Sequence, residues 1–170
     1  MMEISDQLLT LAEVGSAFAG FTAIAGVLAR SSKDRLGSQV SFWLMIEFSF
    51  ALILFSLMPF VFFNFGFAEP TIWLVCSLLM VVFFPLHVAF AGKYVLAAVE
   101  RGELSKYGPR VIVPLFLTVF VIQVLNVFEI YFERSYAAYF LGLILFLMLA
   151  FVNFILLLVE IWKPAPEVDA

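Results

Sequence analysis

Five long apolar runs, joined by short polar loops, leave this chain few ways to fold. They cover residues 8–29, 41–65, 71–91, 111–132 and 137–159, and Tyr94 to Glu100 can prolong the third as far as residue 100. At about 1.5 Å per residue, a helix of about 20 residues crosses a hydrocarbon layer of about 30 Å, so each run is long enough to span. A membrane barrel would show short alternating segments, and these runs are continuous. Helices also satisfy their own backbone, which lipid cannot do for them. The sequence predicts an all-α integral membrane protein, a bundle of five transmembrane helices forming one domain over residues 1–170.

Composition agrees with lipid as the main solvent. Hydrophobic residues make up 65% of the chain and charged residues 13%, whereas soluble domains are roughly half apolar and a quarter charged. The net charge of −4 resides mostly in tails and loops, and no basic stripe with interleaved aromatics exists to track a phosphate backbone, so nucleic acid is excluded as a partner. The single Cys76 lies within an apolar run and is expected to pack as a small hydrophobe. With one His and one Cys, a closed metal site would have to be built across subunits, and neither a metal nor a cofactor is expected. No nucleophile elbow, zinc-protease helix, phosphate loop or paired-Cys motif occurs, so the expectation is a protein without catalytic residues, not an enzyme.

Lys and Arg set the orientation. Arg30, Lys33 and Arg35 follow the first run; Lys93, Arg101, Lys106 and Arg110 follow the third; Lys163 is in the tail. The opposite side carries only Arg134. The expected topology places the N-terminus outside and the C-terminus in the cytoplasm, as in a bacterial inner membrane. Trp43 and Trp162 fall at the inner boundary and Trp73, Tyr131 and Tyr136 at the outer, where amphipathic rings belong. Residues 1–7 hold Glu3 and Asp6 and no basic residue, so the first run reads as a retained span and not a secretory signal.

The first span carries a stripe of small residues, Ala12, Gly15, Ser16, Ala19, Gly20, Ala23 and Gly26, joined by Thr22. Close backbone approach is the main cause of helix association in lipid, so this stripe is expected to pack within the monomer or between copies. Glu13 borders it at a depth where a charge costs about 2 to 3 kcal/mol. Gln123, Asn126 and Glu129 of the fourth span lie at matching depth, and with Glu13 and Ser16 they form an expected outer polar layer in which spans one and four touch. An inner polar layer is expected from Glu47, His87 and Asn153, with Glu47 and His87 as a buried acid and imidazole pair suited to proton transfer. Pro59 and Pro85 interrupt spans two and three, each as a static kink or a gate. The phenylalanines, dense in the second span, circle that helix, and most of them are expected to contact lipid.

Two functions follow. One is an oligomeric channel- or transporter-like protein that passes protons or small cations by way of its intramembrane carboxylates. The other is a non-catalytic structural or accessory subunit of a larger membrane complex, its polar groups fastening helices together. Both imply the lipid bilayer and either further copies or another membrane protein as partners.

Overall fold

The computed structural model describes residues 2–28, 36–104 and 107–162. They form five helices: α1 Met2–Leu28, α2 Leu36–Asn64, α3 Glu69–Glu100, α4 Tyr107–Val127 and α5 Tyr136–Trp162. No strand occurs among the described residues. All five helices are long and apolar enough to cross a membrane. Arg30, Lys33, Arg35, Lys106, Lys163 and the side chain of Trp162 lie outside the described residues.

The helix ends follow from local chemistry. At the ends of α2 and α3 the chain turns through a left-handed glycine, Gly66 at φ 77° and Gly102 at φ 69°. In each case an amide two residues past the helix cap reaches back, Phe67 N to Phe62 O at 3.2 Å and Glu103 N to Ala98 O at 3.0 Å, closing carbonyls the helix leaves open. The third helix does continue to Glu100, as the sequence allowed. The fourth corrects expectation: it stops at Val127 and not near residue 132. Glu129 takes the left-handed position there at φ 57°, and Ile130 N closes on Leu125 O at 2.9 Å, the same stop made without glycine.

α2 is the hub, packed against α1, α3 and α5, while α4 rests on α3 and α5. Phe48, Phe55, Phe84, Phe116 and Phe146 are buried, so the phenylalanines divide between core and lipid. Phe50 and Phe63 of α2, and Phe65 just beyond it, face outward, whereas Phe48 and Phe55 lie inside. Trp73, expected at the outer boundary, is buried between the rings of Tyr136 and Tyr139, at 5.2 and 5.8 Å. Cys76 is buried in the same core.

At Gly15, α1 meets α2. An added Cβ there would stand 3.0 Å from Ile53 Cγ1 and 3.2 Å from the carbonyl oxygen of Ser49, so only glycine allows this approach without a shift. Pro59 leaves Phe55 O without its helical donor, and Tyr139 of α5 donates its hydroxyl to that oxygen at 2.6 Å. The break in α2 is thereby filled from a neighbouring helix. At the opposite end of the bundle the Glu103 carboxylate accepts from Gly37 N at 2.9 Å, closing an open amide in the first turn of α2.

Candidate functional site

The expected outer polar layer separates into two unrelated groups. Gln123 and Asn126 lie fully buried on α4, three residues apart on one face. Gln123 Nε2 donates to Ala138 O at 3.0 Å, and its amide lies so close over Gly142 that an added Cβ would meet it. Asn126 Nδ2 donates to Ser77 Oγ at 2.9 Å, and its Oδ1 accepts from Ser135 N at 2.9 Å. Asn126 thus fastens the end of α4 to α3 and to the start of α5. Glu129 is not part of this face: it has left the helix for the turn, where its carboxylate lies 3.0 Å from Arg134 Nε.

Glu13 and Ser16 are also elsewhere. α1 packs on α2 and α5, so the expected meeting of α1 and α4 does not form as a packed interface. Glu13 is exposed on the outer surface of the bundle and has no side-chain partner among the described residues. Ser16, exposed beside it, donates to its own helix at Ala12 O, 2.8 Å away. The small-residue stripe divides in the same way. Ala12 and Gly15 are buried against α2 and Ala19 is half-buried, whereas Gly20 and Ala23 face outward. No atom lies within 4 Å of a Cβ built on Gly20. Gly26 is in α1, with its surroundings outside the described residues.

Of the expected inner layer, Glu47 and His87 meet directly. His87 Nδ1 and Glu47 Oε1 are 2.7 Å apart, joining α3 to α2, with the imidazole 10% and the carboxylate 35% exposed. Glu47 is eight residues inside the apolar segment that begins at Gln39, a depth of about 12 Å. The imidazole is held by aromatic rings. Phe48 and Phe116 each lie 5.0 Å from it, and Phe83 stacks on it at 5.9 Å with an interplanar angle of 26°. Such a ring has little room to turn, which fixes Nδ1 toward the carboxylate.

The two members of the pair open onto different spaces. Glu47 lines a recess of about 410 Å³ between α2 and α3, whose wall includes Gln39, Trp43 and Tyr94. His87 lines a cavity of about 440 Å³ among α2, α3, α4 and α5, together with Ser41 and Asn153. Asn153 is buried and donates to Leu149 O at 2.8 Å, so it shares the cavity with His87 without bonding to it. With Nδ1 engaged by the carboxylate, Nε2 is the ring nitrogen left for any other group that enters the cavity. Acid and imidazole are within reach of sharing one proton, and both spaces lie at the end of the bundle that holds the start of α2 and the late part of α3.

The rings around His87 were missed in the sequence because phenylalanine is so frequent in this chain. Two signals were nevertheless present: Phe83 is one helical turn before His87, and Phe48 directly follows Glu47. Ser77 and Ser135, the partners of Asn126, had no comparable marker. Among the described residues no three His, Cys, Asp or Glu side chains converge as a metal-binding set would. No protein family, curated protein or solved structure matches the chain.

Proposed function

We propose that this is a channel- or transporter-like membrane protein that passes protons, with Glu47 and His87 as the groups that hand them on. The observation that carries this reading is the 2.7 Å contact between an imidazole and a carboxylate inside membrane-spanning helices, each group opening onto a different space. Proton transfer needs a donor and an acceptor within hydrogen-bond reach, and this pair meets that requirement in a setting where polar groups are costly. An imidazole exchanging protons through its two nitrogens suits protons better than metal cations, which would ask for more oxygen ligands.

The proposed topology has the N-terminus outside, the C-terminus in the cytoplasm and the Glu47–His87 pair toward the cytoplasmic side, as the distribution of Lys and Arg favours. A bacterial inner membrane is the proposed location. The working unit is proposed to be an oligomer in which α1 meets another copy or a membrane partner through Glu13, Ser16, Gly20 and Ala23. Support comes from the exposure of these residues and from the cost of leaving a carboxylate such as Glu13 against lipid.

A second reading, the accessory bundle, is favoured by Gln123 and Asn126, whose amides donate within the subunit and join α4 to α5 and α3. Proton flux into liposomes holding the purified protein, compared with Glu47→Gln and His87→Phe, separates the two. Conduction by the parent, lost in both variants while they remain folded and assembled, is the expected result. A parent that conducts no protons under an imposed pH gradient and membrane potential would leave the accessory role standing instead.

A further inference from the structure

We infer that the cavity beside His87 is a binding site for a lipid-soluble molecule with a hydroxyl head on an apolar body, entering sideways from the bilayer between α3 and α4. Its volume of about 440 Å³ falls in the range of small-molecule sites, roughly 300 to 1,000 Å³. The walls from α3 and α4 are aliphatic, among them Val88, Leu96 and Val113, and these three are also 57%, 60% and 52% exposed. Residues that line a cavity and face outward at once form its mouth, and on these helices outward is toward lipid. The entrant must therefore be soluble in the bilayer. Gly92 lies on the same wall, where an added Cβ would meet only Val88 Cγ1, at 3.8 Å, so the α3 backbone borders open space.

The polar groups at this cavity specify the head. Ser41, His87 and Asn153 come from three different helices, and all line an otherwise apolar space. His87 Nδ1 is engaged by Glu47, and in the tautomer that places the ring hydrogen on Nδ1, facing the carboxylate, Nε2 is an acceptor. Asn153 spends its Nδ2 on Leu149 O and keeps Oδ1, also an acceptor. Two acceptors, with the Ser41 hydroxyl able to donate or accept, complement a group that can donate and also accept, and a hydroxyl on an apolar body is the simplest such group that dissolves in lipid. A plain acyl chain would fill the volume without using either acceptor.

This inference stands independently of proton conduction, since binding is measured without flux. The test uses the full chain in detergent micelles with a twelve-carbon alcohol bearing a photoreactive diazirine, and the corresponding methyl ether as the matched probe without a donor. A phenol with the same chain separates aromatic from aliphatic hydroxyl heads. The alcohol is expected to label α3 and α4 near Leu96 and Val113, and to be displaced by unlabelled alcohol at three- to tenfold lower concentration than by the ether, the worth of one hydrogen bond. His87→Phe should reduce that preference to none. Val113→Trp, on the exposed rim and away from the core, should block labelling and serves if His87→Phe fails to fold. Equal capture of alcohol and ether by the parent would overturn the inference, showing a space that any chain fills. Labelling unchanged by Val113→Trp would overturn it as well.

Discussion

Tyr139→Phe removes one oxygen atom and tests how α2 survives its internal proline. Tyr139 is fully buried, and its hydroxyl donates to Phe55 O at 2.6 Å. Pro59 comes four residues after Phe55 and has no N–H, so that carbonyl has lost its helical donor. Without the hydroxyl, a buried carbonyl is left unpaired, at about 1 to 3 kcal/mol, while the ring continues to fill its place. Restoring the backbone donor changes the outcome. In a Pro59→Ala background residue 59 can donate to Phe55 O, and the same Tyr139→Phe change should then cost only about 0.5 kcal/mol, the net worth of a weak replaceable hydrogen bond. The two substitutions should therefore couple by about 1 to 2 kcal/mol, well above the error of additivity. Any other contact of the hydroxyl is lost in both backgrounds and cancels. Equilibrium unfolding of the four proteins in mixed micelles measures the cycle. Equal losses in both backgrounds would refute the assignment of Tyr139 as the substitute donor.

Gly142→Ala should lower stability by roughly 1 to 3 kcal/mol although alanine favours helix over glycine, because the new methyl would displace the Gln123 amide, whose Cδ lies 3.1 Å from it. Thermal unfolding in detergent reads this, and in a Gln123→Ala background the sign should reverse, since the methyl then occupies vacated space. The two glycines of α1 should behave oppositely. Gly15→Leu drives a side chain into Ile53 and the Ser49 carbonyl and should disrupt α1–α2 packing, whereas Gly20→Leu enters open space and should leave monomer stability within about 0.5 kcal/mol. If α1 is the seam between copies, Gly20→Leu should still abolish cross-linking between subunits in the membrane; unchanged cross-linking would remove that face from the proposal.

Apolar length was the legible part of this fold. Five uninterrupted runs required five helices, and Gly66 and Gly102 marked two of the ends because a left-handed turn favours glycine. The end of α4 was not legible. Glu129 occupies the same kind of turn, and an acidic residue among apolar neighbours reads as one more polar position on a helix. Depth was likewise readable from distance along a span, which is why Glu47 and His87 were placed at one level. Azimuth was not. Glu13 and Gln123 could share a level and still be apart, because sequence gives the height of a residue in a span but not which neighbour its face meets.

Azimuth separates the polar residues into two kinds with different consequences. Asn126 meets α3 and the start of α5, and two of its bonds are made within the chain, so little remains for it to do beyond holding helices together. Glu13 and His87 Nε2 are different, having no partner among the described residues, in helices long and apolar enough to cross a membrane. An unmet carboxylate against lipid costs about 2 to 3 kcal/mol, and that cost persists unless water, a proton or another molecule meets it. Glu13 faces outward, where no described residue partners it; His87 faces a cavity large enough to admit a guest. Binding or proton exchange is therefore to be sought at these two positions, and a substitution that silences function while sparing the fold belongs there and not at Asn126.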